Sequence, residues 1–523
     1  MVDASEVKKH NNKDDCWVIV HGKVYDVTEF LPSHPGGQKV ILKFAGKDAT
    51  KRFEPIHPPD TLDKYLPKDK HMGTLEASPT SAKSKTESKK KQPVEKKKAK
   101  SLPPPPPPPA DDEDEEEDED ELRRQEFEAN KPPLSQMYNL LDFEHVASKV
   151  MSKTGWAYYS SGADDEISLR ENHRAFHRIW FKPRILIDVK NVDFTTTMLG
   201  TKTAAPFYVT ATALGKLGHP DGETVLTRAA AKHDIIQMIP TLASCSFDEI
   251  VNAADGKQTQ WLQLYVNADK NITKSIIEHA EKRGIKGLFI TVDAPQLGRR
   301  EKDMRSKYDE DAADVQGDDE DGEIDRSQGA ARAISSFIDP SLSWKDIPWF
   351  KSVTKLPIIL KGVQRAEDAV LAAEHGVQGI VISNHGGRQL EFARSSIEVL
   401  VEVQQALKAR GLQGKLEIFI DGGIRRATDI IKAVCLGATG VGIGRPFLYA
   451  MSSYGEAGVS RAFQLLKDEF EMNMRLLGAN TIADLNESLL DIRSLDSHHA
   501  VPNDILSDRV YQPMLSPAFK GKL

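Results

Sequence analysis

Cysteine is almost missing. The 523 residues contain three, Cys16, Cys245 and Cys435. They are too scattered for a metal-binding spacing and too few for a disulfide framework, as in a reducing compartment. Long apolar runs are missing too. No stretch approaches roughly 18 consecutive apolar residues, so no transmembrane helix and no membrane partner are expected. A strong excess of one charge is also absent. The formal net charge is −8, which carries no nucleic-acid signature for the chain as a whole. The opening MVDASEVKKHNNKDDCWV has neither an apolar signal core nor an Arg/Ser-rich presequence. The closing GKL is treated as an ordinary terminus.

What is present falls into three parts. Residues 1–77 look globular, with WVIV, KVYDV and KVILKFAG. Residues 78–132 hold a Lys/Ser stretch, seven prolines at 103–109 and eleven consecutive acids at 111–121. That composition predicts a disordered linker with a stiff polyproline segment. Its basic and acidic blocks are expected to attract each other. Residues 133–523 are globular again.

In the large part, eight near-continuous apolar runs predict strands buried on both faces. They are PFYVTATA (206–213), IIQMI (235–239), QWLQLYV (260–266), GLFITVDA (287–294), PIILKGV (357–363), GIVISN (379–384), LEIFIDGG (416–423) and GVGIGRPF (440–447). Helical stretches such as RAEDAVLAAEHG lie between them. The fold class is therefore α/β, a (β/α)8 barrel of the TIM type. The gap from 294 to 357 is too long for one helix. It contains DEDAADVQGDDEDGEID, ten acids and no base, which predicts a mobile insertion.

Such barrels place their chemistry at strand C-terminal ends. Here those ends carry Gln263 and Tyr265, Thr291 and Asp293, Lys361, then Ser383, His385 and Arg388. The last two carry Asp421, Gly422, Gly423 and Arg425, then Gly442, Gly444 and Arg445. The octet SNHGGRQL alone reads as a glycine turn with two solvated side chains. The same polar address on six strands outweighs that reading. DGGIRR and GIGRPF combine bare backbone N–H groups, helix N-termini and arginines, as in a phosphate site. His385 suits a general base if Asp293 orients it and stabilises its cation. Arg388 can hold a carboxylate through two hydrogen bonds. Lys361 can offset negative charge developing on a bound cofactor. Together they suggest oxidation beside a carboxylate.

Residues 135–523 resemble the FMN-dependent L-2-hydroxy acid oxidase/dehydrogenase family. WAYYSSGADDE, PFYVTATALGKLGHP, WLQLYV, TVDAP, LPIILKGV, SNHGGRQL, DGGIRR and GIGRPFLY match in order. The resemblance implies that His385 removes a substrate proton with Asp293 as its partner. It implies that Arg388 and Tyr158 hold the carboxylate, Tyr265 lies near the substrate hydroxyl, and Arg300 is a second cation. FMN would contact Ala211, Thr212, Gln263, Thr291, Lys361, Ser383, Asp421, Gly422, Gly423, Arg425, Gly444 and Arg445. Ala213 and Leu242 would line a small apolar pocket for the substrate side chain. Relatives often carry a small hydroxyl residue where this chain has Pro240, so one flavin contact is in doubt there.

In the N-terminal part, LPSHPGGQKVILKFAGKDATKRFEPIH offers His34 and, 23 residues on, His57. By themselves they fit either the two axial ligands of a haem or two surface histidines. Residues 2–77 resemble the cytochrome b5-like haem-binding fold, a small α+β domain, and that resemblance names His34 and His57 as iron ligands of haem b. The order of haem domain, linker and FMN barrel resembles the haem-coupled L-lactate dehydrogenase family. It implies L-lactate or another short L-2-hydroxy acid as substrate, cytochrome c as acceptor and a homotetramer. It also implies the mitochondrial intermembrane space, with the cytoplasm as alternative because no presequence is visible. Two other readings are an oxygen-using L-2-hydroxy acid oxidase and a haem module with an inactive barrel. The haem domain speaks against the first and the intact Lys361, His385, Arg388 and Asp293 against the second.

Overall fold

The computed structural model describes residues 2–31, 38–54, 57, 61–75, 112–254, 256, 258–305 and 338–497. Eight parallel strands close into a barrel. They are β1 (Phe207–Val209), β2 (Gln237–Ile239), β3 (Gln260–Leu264), β4 (Leu288–Thr291), β5 (Ile358–Val363), β6 (Gly379–Ile382), β7 (Glu417–Asp421) and β8 (Gly440–Ile443). β8 pairs with β1 through Gly442 and Tyr208, and β1 with β2 through Val209 and Gln237, which completes the ring. Each expected strand is present. Each is shorter than its apolar run: in six of them the run's end leaves the sheet toward the cleft, while β2 and β5 lose only the run's first residues.

Side chains alternate along each strand, so neighbours face opposite sides. Tyr208, Met238, Trp261, Phe289, Ile359, Val381 and Phe419 point into the barrel and fill it. Trp261 stacks on Phe289 with ring centroids 4.8 Å apart. Leu262, Leu288, Ile290, Leu360, Ile380 and Ile418 point outward and pack in the core shared with the helices. The hairpin Thr196–Met198/Thr201–Thr203 closes the lower mouth. There buried Met198 packs among the inward set, and the Leu199 N–H donates to Glu417 at the start of β7. The cleft is thereby left only the upper mouth, at the strand C-terminal ends.

The N-terminal domain is α+β, as expected. An antiparallel sheet runs Asn11–Asn12, Asp15–Val20, Lys23–Asp26 and His71–Thr74. Its core holds Cys16, Val18, Val20, Tyr25 and Leu31.

The linker expectation needs one correction. Residues Asp112–Asn130 form a helix. Leu, Arg, Gln and Glu are good helix formers, and acids toward the helix N-terminus complement its dipole. Arg123 pairs with Asp120 at 2.6 Å and Arg124 with Glu121 at 3.1 Å, each three residues apart. The end of this segment docks on the barrel domain. Arg124 donates to the Val150 carbonyl at 3.0 Å, Phe127 packs on its core, and Lys131 donates to the Ser453 carbonyl at 2.7 Å. The acidic stretch 309–325 and the other expected linker residues lie outside the described residues.

Candidate active site

A cleft of about 150 Å³ opens at the strand C-terminal ends. It is lined by Tyr158, Ala211, Thr212, Gln263, Tyr265, Arg300, Lys361, His385, Arg388, Asp421, Gly422, Gly423, Arg425, Gly444 and Arg445. Ala213, Pro240 and Leu242 line it as well. Three of the expected residues, Asp293, Thr291 and Ser383, stand one step behind and hold those in front.

The turn after β6 sets His385. The residue adopts φ +60°, the left-handed region that a non-glycine residue enters at a cost. Its N–H is taken up by Ser383 Oγ at 3.0 Å. Its Nδ1 lies 3.2 Å from both carboxylate oxygens of Asp293. Burial pushes the Asp293 carboxyl up, but His385 and Lys361 outweigh it and hold the group below the ordinary carboxylate range. An anionic Asp293 can only accept, so Nδ1 must carry the proton. Nε2 is then a bare lone pair, and the Tyr265 hydroxyl donates to it at 3.2 Å. Burial first, then Lys361 and Arg300, lower the imidazole pKa below 6.5, although Asp293 raises it. The ring is therefore neutral, with its basic nitrogen on the cleft. Close approach of Asp293 requires Gly362 on β5, whose φ is +111° and where a Cβ would sit 2.5 Å from the Asp293 Cγ.

A second buried cluster stands beside it. Lys361 Nζ lies 3.3 Å from Asp421 Oδ2 and 3.4 Å from Ser383 Oγ. Ser383 donates to Asp421 Oδ1 at 2.5 Å. Burial works against the Lys361 cation, yet Asp421 and Asp293 win and raise its pKa. A fixed positive charge is thus held in a water-poor wall. Gln263 donates to Thr291 Oγ1 at 2.8 Å and accepts from the Thr241 N–H at 3.2 Å, which orients its amide.

Arginines form the remaining wall. Arg388 donates to the Tyr158 and Ser161 carbonyls at 2.7 and 3.1 Å, with its guanidinium 4.9 Å from the Tyr158 ring centroid. Arg445 donates to the carbonyls of Tyr159 (2.8 Å), Ser161 (2.8 Å) and Gly386 (3.0 Å). Three donors of Arg445 thus brace the walls, and burial with Arg388 nearby lowers its pKa to about 10. Arg425 sits 3.4 Å from Glu144. Arg300 is buried, its pKa is lowered to about 10 by burial and by Arg388, and its Nε has no hydrogen-bond partner among the described residues.

Sequence reasoning missed the residues that act through backbone or from a distance. The carbonyl of Ser161 joins Arg388 to Arg445. Tyr159 donates to the Leu214 carbonyl at 2.8 Å. Gln389 donates to the carbonyls of Asp293 (2.8 Å) and Gln296 (3.0 Å). All three lay inside quoted motifs, Tyr159 and Ser161 in WAYYSSGADDE and Gln389 in SNHGGRQL, but nothing in a motif marks a backbone carbonyl as a partner.

These residues fit a flavin phosphate. A cation at Lys361, an oriented amide at Gln263 and an unpartnered buried Arg300 Nε suit an anionic, hydrogen-bonding ring system and an acid beside it. Gly422 and Gly423 have φ +93° and +82°, and a Cβ on Gly423 would meet the Asn172 carbonyl at 2.0 Å. Glycine at that turn lets the Asn172 backbone pack against it, beside Arg425 on the cleft wall. In the N-terminal domain, the His57 ring lies 4.7 Å from Phe53. Phe30, Ile41, Leu42, Phe53 and Leu62 pack as partly covered apolar side chains on that domain's core. An imidazole beside an apolar wall fits a haem. His34 lies outside the described residues. No group of three or more His, Cys, Asp or Glu suited to a metal ion occurs among the described residues.

Comparison with known proteins places this geometry. Residues 147–492 match the FMN-dependent dehydrogenase family, and residues 3–76 the cytochrome b5-like heme/steroid binding domain. The chain is 58% identical to L-lactate dehydrogenase (cytochrome) of Wickerhamomyces anomalus over 98% of this chain and 84% of that one. It is 52% identical to the Saccharomyces cerevisiae protein of the same name over 98% and 83%. Glycolate oxidase of Spinacia oleracea is 41% identical over 68% of this chain and 95% of that one. Among solved structures, the recombinant flavin-binding domain of baker's yeast flavocytochrome b2 matches with TM-score 0.68 and 53% identity, covering 76% of this chain and 98% of that one. A mandelate oxidase variant with (S)-mandelic acid matches at TM-score 0.60 and 32% identity, over 68% and 98%.

Proposed function

The chain belongs to the FMN-dependent dehydrogenase family, with a cytochrome b5-like domain ahead of the barrel, and from that premise we propose that it is an L-lactate dehydrogenase (cytochrome). It oxidises L-lactate to pyruvate with FMN and haem b as cofactors. The observation that carries the reading is His385, neutral and oriented by Asp293, with its unprotonated Nε2 hydrogen-bonded to Tyr265 in the cleft that Arg388 also lines.

In this reading Arg388, Tyr158 and Arg300 bind the substrate carboxylate, and Tyr265 orients the hydroxyl. His385 Nε2 accepts a proton from the carbinol group, and Asp293 stabilises the resulting imidazolium. Lys361, on the cleft wall, would offset negative charge on a bound flavin. Gln263, held by Thr291, would hold the flavin together with Ala211 and Thr212. Asp421 and Ser383 fix Lys361, while Gly422, Gly423, Arg425, Gly444 and Arg445 form the phosphate cradle. FMN supplies acceptance of two electrons, and haem held by His34 and His57 supplies their one-at-a-time transfer. A fused haem domain and the higher identity to cytochrome-linked relatives favour this over an oxygen-using oxidase.

The acceptor beyond the haem is cytochrome c, and the domains run 1–77, 78–132 and 133–523. The chain forms a homotetramer, a reading supported by the exposed apolar side chains of Trp180, Ile185 and Leu186 (98% exposed). It works in the mitochondrial intermembrane space. Among the described residues no helix is long and apolar enough to cross a membrane. The test is anaerobic mixing with L-lactate, followed by visible spectra. Flavin bleaching followed by growth of reduced-haem bands is expected. Bleaching with oxidised haem overturns the acceptor, and no bleaching with any short L-2-hydroxy acid overturns the reaction.

A further inference from the structure

Glu223 begins the helix Glu223–Lys232 that follows β1, and it is buried at 1% exposure. Among the described residues, its carboxylate accepts from three main-chain donors and from no cation. Oε1 accepts from the Gly215 N–H at 2.7 Å and the Ser244 N–H at 3.0 Å, and Oε2 accepts from the Cys245 N–H at 3.1 Å. Gly215 lies in the loop after β1, Ser244 and Cys245 in the loop after β2. The same two loops touch directly, since the Leu214 N–H donates to the Leu242 carbonyl at 3.3 Å and the Lys216 N–H to Ser244 Oγ at 3.3 Å. Two residues before Gly215 is Ala213. Two residues before Ser244 is Leu242. Both line the cleft.

We propose that Glu223 is a positioning residue for substrate selection, a buried bracket that sets the distance between the loops bearing Ala213 and Leu242 and so the width of the side-chain pocket. Hydrogen bonds to a charged acceptor are the strong ones, and removing one from a buried donor leaves that donor unsatisfied. Three on one carboxylate therefore stiffen two loops that no regular structure ties together. Gly215 itself has no room to yield, since a Cβ there would meet the Glu223 Cδ at 2.8 Å. Tyr159 closes the bracket from the other side, donating to the carbonyls of Leu214 and Gly215 at 2.8 and 3.2 Å. Glu223 touches neither the cleft nor His385, so its effect is on which acid fits and not on proton removal.

The inference rests on the proposed hydroxy-acid reaction. The experiment is flavin reduction in the full-length holoenzyme with L-lactate and with L-2-hydroxybutyrate, comparing kcat/KM. Turnover of neither acid by the unaltered protein defeats the proposed reaction itself. With that reaction in hand, Glu223→Gln is expected to raise the hydroxybutyrate-to-lactate ratio by about 3–30-fold, part of the roughly 10–200-fold that one methylene is worth in such a pocket. The acidic limb of the pH profile should stay where it is. A ratio within twofold of the unaltered protein overturns the proposal. If Glu223→Gln does not accumulate as folded protein, Tyr159→Phe decides by the same ratio and the same threshold, because it loosens the same loop from the opposite side.

Discussion

Replacing Asp293 with Asn isolates what its charge does. The amide keeps the shape, and its oxygen can still accept from His385 Nδ1, so the ring keeps its place. What disappears is the negative charge 3.2 Å from that nitrogen. A charge-assisted hydrogen bond exceeds a neutral one by about 1–2 kcal/mol. A unit charge about 4 Å away contributes about 4 kcal/mol at an effective dielectric near 20. The imidazolium formed on proton uptake is therefore less stable by about 1–4 kcal/mol, or roughly 5–10³-fold in rate. Asp293 also raises the His385 pKa, while burial lowers it. Losing the carboxylate moves that pKa further down, so the acidic limb of kcat/KM shifts to lower pH even as the rate falls. Anaerobic stopped-flow absorbance of the flavin, taken from pH 5 to 9, reads both effects. A merely structural aspartate would change the rate and leave the limb in place. A rate within threefold of the unaltered protein, with an unmoved limb, would refute the reasoning.

Other expectations follow from the same geometry. His385→Gln should retain FMN and haem spectra yet lose several orders of magnitude in flavin reduction; near-normal reduction would remove the base from His385. In the unaltered protein the acidic limb of kcat/KM should lie below pH 6.5, since a base must be neutral to work and burial lowers the His385 pKa; a limb above 7 would contradict this. Ser383→Ala takes the acceptor from the buried His385 N–H and the hydroxyl from Asp421, so stability should fall by about 1–3 kcal/mol, checked as a lower urea midpoint at unchanged m-value. Deleting 111–121 should weaken the salt dependence of cytochrome c reduction if the acidic run attracts that basic partner; unchanged salt dependence would dismiss the attraction.

The eight strands were legible because strands buried on both faces must be apolar throughout, and GIVI or IFID admits little else at that length. The dyad and Lys361 were legible because a barrel presents strand ends at one mouth, so sequence position translates into address. The linker reading was partly overturned for a related reason. Composition reports whether a segment can build its own core, and 112–130 cannot. It does not report whether Phe127 and Arg124 will meet a core built by other residues. His34 of the haem pair stays a sequence reading, outside the described residues.

By itself, then, the sequence determined the barrel, the identity of the groups at its mouth and the family. Only the tertiary structure decided how those groups are held. Arg388 and Arg445 meet at a carbonyl, that of Ser161, more than 200 residues away in the chain, and every residue carries a carbonyl. Glu223 reads as an ordinary acid opening a helix until three N–H groups from two loops converge on it. Side-chain chemistry is written in the alphabet. Backbone partners and the desolvation that gives them strength exist only after the chain has closed around them.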